Sequence, residues 1–178
     1  MNTSETIIKT HNPFKIKPLN GNAPRVLKMA RRLNTKYWIA AGTLLGLYRD
    51  GDFIKGDTDI DIEVEGYGGV YSDTIKTFSD MTLIRTVHKN NKPMQIAFVH
   101  LDCIFDVYVF WHEGDFMVNH NDCGKMQVPA RFYKDLAILR TKYGDFPCPD
   151  PLDDYLAVRY GENWETPANH KGLYTHAI

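Results

Sequence analysis

No stretch of this chain is apolar for the roughly 18 residues that a membrane-crossing helix requires, and the opening residues "MNTSETIIKTHNPFKIK" hold no signal-peptide core. The sequence therefore predicts a cytoplasmic protein without a membrane span, in which peripheral membrane association remains open. Cysteine is scarce. Cys103, Cys123 and Cys148 make an odd number without a C-x-x-C pair, which argues against a disulfide framework and a zinc site and for reduced thiols. An excess of one charge sign is missing too, since 21 basic and 22 acidic residues give a net charge of −1. That balance lacks the basic footprint of a nucleic-acid binder. The seven histidines are scattered without ligand spacing on a helix. No repeat, low-complexity tract or linker divides the chain, so its 178 residues read as one domain with a real core.

What is present is local pattern. "GNAPRVLKMARRLNTKYW" predicts a helix, with Asn22 as N-cap, Pro24 in the first turn and Val26, Leu27, Ala30 and Leu33 on one face. "WIAAG" reads as a short buried strand. "FIKGDTDIDIEV" alternates strictly, with Ile60, Ile62 and Val64 facing one way and acids the other. "SDTIKTFSDM" reads as a helix capped by Ser72 or Asp73. "MQIAFVH" and "CIFDVYVFWHEGDFMVN" read as strands turning at "HEGD". "RFYKDLAILRTKY" is expected to be helical. "DPLDDYLAVRYGEN" is a helix with Asp150 as cap, Pro151 first and Gly161 as its stop. Together these elements predict an α+β domain with a small mixed β-sheet.

The acidic strand poses the chemical question. Asp57, Asp59, Asp61 and Glu63 fall on one side, about 6.5 Å apart by strand geometry. Like charges so placed resist ionising together unless something positive joins them. Asp59 and Asp61 can reach one hard cation or bridge two, and two such ions can hold both oxygens of a displacement at phosphorus. An exposed edge decorated with charge is the bland alternative. A calcium loop is excluded, because the positions that need Gly and Glu hold Ile62 and Gly68.

Upstream, "AGTLLG" supplies Gly42, where a phosphate can approach the backbone, and Thr43, with a hydroxyl and an adjacent amide. Arg49, between this turn and the acids, can neutralise a phosphate or form a surface ion pair. A third carboxylate is expected from a neighbouring strand. Asp106 lies in the apolar "CIFDVYVFW", where an unpaired acid is expensive. Asp102 has the same parity and stays open.

"GTLLGLYRDGDFIKGDTDIDIEV" resembles the LicD and fukutin-related family of the nucleotidyltransferase superfamily, and "IFDVYVFW" resembles its later aspartate strand. "FPCPDPLDDYLAVRYGENWETP" is similar to its closing segment. Lys55-Gly56 stands where the family has Pro-Trp. The resemblance implies a nucleotidyltransferase-like (polymerase beta-like) fold over residues 24–167, between an extended segment 1–23 and a tail 168–178. It implies Asp59, Asp61 and Asp106 as catalytic metal ligands for Mg2+ or Mn2+, and selects Asp106 over Asp102. Gly42, Thr43 and Arg49 would meet the donor phosphates, and Asp57 would support the site. The implied reaction moves a phosphorylated alcohol, phosphocholine or a polyol phosphate, from a CDP-activated donor to a glycan acceptor, releasing CMP. Transfer of NMP from an NTP is the second enzymatic reading. The seventeen positions from Gly42 to Asp59 exceed the compact spacing common elsewhere in that superfamily. An inactive nucleotide-binding module is the third. Tyr160 and Trp164 read as core packing, and His112 and Glu113 as turn residues.

Overall fold

A computed structural model describes residues 5–121 and 124–167. Cys123 and the expected 168–178 tail lie outside them. The chain runs β1 (Thr6–Thr10), α1 (Ala23–Lys28), β2 (Tyr37–Ile39), α2 (Ala41–Arg49), β3 (Asp59–Glu65) and α3 (Val70–Thr77). It continues through β4 (Thr82–Lys89), β5 (Lys92–His100), β6 (Cys103–Glu113), β7 (Phe116–Asn121) and β8 (Gly124–Pro129). The hairpin β9 (Ala137–Thr141) and β10 (Gly144–Cys148) and helix α4 (Leu152–Tyr160) complete it. The main sheet has the order β1-β4-β5-β6-β3-β2, and β7 and β8 branch from the far end of β6. Every pairing is antiparallel except β3 with β6, whose parallel register sets Asp61 beside Asp106. Among the described residues no helix is long and apolar enough to cross a membrane.

Alternation explains why β3 and β6 form the centre. Ile60, Ile62 and Val64 stand in register with Phe105, Val107 and Val109, and all six are fully buried. Each such side chain contributes about 1.5–3 kcal/mol on leaving water. Phe78, just past α3, meets Phe98 and Phe105 edge-on over this face. On the other face stand the acids, and this face is buried as well. Glu63 is 1% exposed. Its Oε1 accepts a 3.0 Å hydrogen bond from Arg159 of α4, and its Oε2 one of 2.6 Å from the Trp38 indole. Trp38 packs on Tyr133 at 4.5 Å between ring centroids. The middle of the acidic face is therefore a closed ion pair under α4, and an edge decorated with solvated charge is not what this strand is.

Several local expectations change. α1 begins after Asn22 as expected, without a side-chain cap bond, and gives way to a 3-10 turn at Met29–Arg32. α2 starts at Ala41, so Gly42 and Thr43 occupy a helix's first turn where a glycine turn was expected. α3 starts after Gly69, with Ser72 and Asp73 already inside it. α4 is capped at Pro151 and stops at Gly161, whose φ of 89° suits glycine. "RFYKDLAILRTKY" is not a helix. A 3-10 turn at Ala130–Tyr133 leads into β9, where Ala137–Thr141 alternate in exposure and pair with Gly144–Cys148. The sheet is also larger than expected, because β1, β4 and β8 join it. Asn90 and Asn91, both with positive φ, make the two-residue turn between β4 and β5, a conformation asparagine tolerates. Leu101 and Asp102 make a similar turn before β6.

Arg159→Met leaves Glu63 buried without its cation. Urea unfolding is expected to lose about 3–5 kcal/mol of stability; a loss under 1 kcal/mol would show that the pair does not hold α4 to β3.

Candidate metal and phosphate site

One carboxylate oxygen from each of Asp59, Asp61 and Asp106 lies within 4.8 Å of the other two. Asp61 and Asp106 are each 5% exposed, and Asp59 is half-buried. The parallel β3–β6 register brings Asp61 and Asp106 side by side, and the strand period of two brings Asp59 to the same face. Asp102 is elsewhere. It occupies the β5–β6 turn with its side chain 67% exposed, 3.9 Å from Lys17.

Asp61 is anchored through its backbone. β2 ends at Ile39, which pairs with Ile62, so the next backbone groups of β3 need another partner. The start of α2 provides it. Ala40 N–H donates to the Asp61 carbonyl at 3.2 Å, and the Thr43 hydroxyl accepts the Asp61 amide at 2.9 Å. Thr43 is fully buried. Its hydroxyl was expected at a phosphate, and its contact is this inward one. Ala41 holds φ of 44° at the helix start, a left-handed conformation that costs a residue with a Cβ about 1–3 kcal/mol.

Gly42 is required by proximity. A Cβ there would stand 2.7 Å from Oδ2 of Asp57. Asp57 Oδ1 accepts the Thr58 amide at 3.0 Å, while Oδ2 is buried without a hydrogen bond. Burial and the neighbouring Asp59 push the Asp57 carboxyl up to about 6. Burial raises Asp59 as well. Asp61 is raised well above the usual carboxylate range, by burial first and then by Asp59, Asp106, Asp57 and Glu63. Oxygen-only donors crowded together at low exposure are the donor set of a hard divalent cation. The three residues fit Mg2+ or Mn2+, which would remove the cost of their mutual repulsion.

Arg49 does not join this group. It closes the last turn of α2, about 10 Å along the helix from Gly42, and its guanidinium forks onto Asp50 at 2.8 and 2.7 Å. Tyr160 and Trp164 pack against the core, with Trp164 on Tyr48 at 5.7 Å. His112 and Glu113 both lie in β6, not in the turn, and His112 meets Glu65 at 2.9 Å.

A second set of residues positions the loop before β3 and was not anticipated. Asp52 accepts the Tyr143 hydroxyl at 2.6 Å and Lys142 Nζ at 2.7 Å, and Phe53 stacks on Tyr143. Hydrogen bonds from Lys142 and Tyr143 hold the Asp52 carboxyl at about 2. Lys142 and Tyr143 form the tip of the β9–β10 hairpin, so reading that region as a helix concealed the clasp. The signal was the short turn before Gly144, whose φ is 126°.

The raised carboxyls have a direct consequence for stability. A folded-state value near 6 for Asp57 means the folded chain binds more protons than the unfolded one between about pH 4 and 6. Stability therefore falls as pH rises through that window. Without divalent cations the melting temperature is expected to drop by about 4–8 °C from this cluster between pH 5 and 7.5. Millimolar Mn2+ should restore it at pH 7.5 and act little at pH 5, and Asp61→Asn should flatten both effects. An equal cation effect at both pH values would contradict the cluster as the binding site.

A family model described as LicD/FKTN/FKRP, nucleotidyltransferase domain, matches residues 34–150, a span that includes all four aspartates of the site. Ribitol-5-phosphate transferase FKTN of Homo sapiens is 26% identical over 148 residues, 79% of this chain and 32% of that protein. The Macaca fascicularis protein of that name gives the same figures, and that of Mus musculus is 24% identical over the same shares. The chain thus spans about a third of the length of the curated relatives it matches. With the family model covering more than half of its residues, this chain belongs to the LicD/FKTN/FKRP family.

Proposed function

We propose that this chain transfers a phosphorylated alcohol from a CDP-linked donor to a glycan hydroxyl and releases CMP. The observation that carries the reading is the gathering of three carboxylate oxygens within 4.8 Å beneath the first turn of α2. Family membership supports a phosphotransferase on a nucleotidyltransferase-like fold. The relatives' name, ribitol-5-phosphate transferase, favours a polyol phosphate over phosphocholine as the group moved.

Asp59, Asp61 and Asp106 would hold Mg2+ or Mn2+. Such an ion, when bound, neutralises phosphate oxygens and makes phosphorus more open to attack. The chain's own residues do the rest. The Thr43 hydroxyl and the Ala40 amide keep Asp61 in place, so the carboxylate need not reorganise when substrate arrives. Gly42 makes room for the Asp57 carboxylate against the first turn of α2, whose backbone amides would meet a phosphate of the donor. Asp57 supports the first turn from beneath. The acceptor hydroxyl oxygen forms the new bond to phosphorus, the bond from phosphorus to the CMP oxygen breaks, and CMP leaves with the electron pair. Asp106 takes the hydroxyl proton. Arg49 would assist only by exchanging Asp50 for a donor phosphate.

The test is CMP release from CDP-ribitol, CDP-glycerol, CDP-choline and CDP-ethanolamine with Mg2+ or Mn2+, with pyrophosphate release from NTPs followed in parallel. CMP release from the polyol donors is expected, lowered at least about 100-fold in Asp59→Asn, since even residues that only orient metal ligands cost 10–100-fold. Pyrophosphate release without CMP release would replace the reading with NMP transfer. Near-full turnover of Asp106→Asn at saturating metal would remove the proton-acceptor role.

A further inference from the structure

The row of residues that crosses the sheet through the triad carries an arginine of its own. Asp61 pairs with Asp106, Asp106 with Ala97 of β5, Ala97 with Arg85 of β4, and Arg85 with Thr10 of β1. Residues paired directly across strands share a face, so Arg85 stands on the acid-bearing side. Two strand spacings, about 10 Å, separate its backbone from that of Asp106. Ala97 stands between them in the row, 3% exposed and too short to block the way. An arginine stem lies readily along such an apolar surface, and with the carboxylate's own reach it spans that gap.

A bulge puts the arginine there. Leu83 pairs with Phe98 and Arg85 with Ala97, so Ile84 is an extra residue on β4. By the period of two, Leu83 and Arg85 would otherwise share a face. The extra residue sends Leu83 toward the apolar side, where it packs against the core, and Arg85 toward the acids. Bulges re-aim side chains in this way beside active sites. The neighbouring rows on β4, β5 and β6 place Val87, Gln95 and Tyr108 on one side, and Thr82, Val99 and Ile104 on the other. Asp106 is therefore the carboxylate nearest to Arg85 in register on these strands. Arg85 is half-buried, which fits a side chain lying along the sheet.

We propose, resting on the triad as the site of the proposed transfer, that Arg85 is a positioning residue. Its guanidinium forks onto Asp106 from the β5 side and holds that carboxylate where it can meet a divalent cation. Arg49 cannot take this part, because Asp50 holds its fork.

The test uses the full chain and two readouts that need no donor. In the metal-free, 15N-labelled chain, Asp106→Asn is expected to shift the Arg85 Nε–Hε resonance and to leave that of Arg49 in place, which also shows that the fold persists. Mn2+ titration at pH 7.5 should show affinity at least about tenfold weaker in Arg85→Met, since partners that orient metal ligands cost 10–100-fold. In the Asp106→Asn background, Arg85→Met should weaken binding no further, because the two side chains act as one unit. Unchanged Mn2+ affinity in Arg85→Met would overturn the proposal, and so would tighter binding, the result if the arginine merely repelled the ion. An equal loss in both backgrounds, or an Arg85 resonance that ignores Asp106→Asn, would overturn it as well. The expected affinities without CMP release from any donor would sink the transfer reading and leave the Arg85 role standing; a chain that binds no Mn2+ would overturn both.

Discussion

Three like charges held within a few ångströms of one another set the terms for the rest of this fold. Two of the three carboxyls are almost wholly buried, where separated carboxylates would spread apart or stay protonated. They cannot spread apart, because the backbone decides where they stand, and burial with mutual repulsion raises the Asp61 carboxyl well above its usual range. Asp61 and Asp106 face each other in the only parallel pairing among the described strands. The start of α2 takes over from β2 at the residue where a carboxylate must be fixed. The Asp52 clasp then holds the loop that delivers Asp57 and Asp59. Repulsion is thus built into the scaffold and awaits a cation to relieve it.

One strand face carries three different solutions to acidic side chains at every second position. At its start, Asp59 and Asp61 crowd with Asp106. In its middle, Glu63 is neutralised internally by Arg159 and the Trp38 indole. At its end, Glu65 is shared between His112 and Lys36. The middle pair matters because it isolates the other two. Arg159 comes from α4, so the helix that closes the domain also separates the triad from Glu65.

The strongest sequence signal was alternation. Ile60, Ile62 and Val64 against the acids identified β3, although the alternation read from Phe53 becomes strand only at Asp59, and the run around Asp106 predicted a buried strand next to it. The turn expected in "HEGD" was nearly as legible and falls at Gly114–Asp115, because glycine and polar residues interrupt a β-branched run. Three things were not. The first turn of α2 contains glycine and threonine, which read as a loop until tertiary contacts with Asp61 show why they sit in a helix. Residues 131–143 carry enough leucine, lysine and arginine to pass for a helix, and only pairing across the Lys142–Tyr143 turn makes Ala137–Thr141 a strand. The inward use of the Thr43 hydroxyl and the forking of Arg49 onto Asp50 depend on distances that residue spacing does not encode.

The central claim is that the triad is a divalent-cation platform. Anomalous diffraction from crystals of the chain grown with Mn2+ and CDP tests it most directly. The account predicts a manganese peak within coordination distance of Asp59, Asp61 and Asp106, lost in Asp61→Asn. Density for CDP at the start of α2 with no manganese at the triad would contradict it.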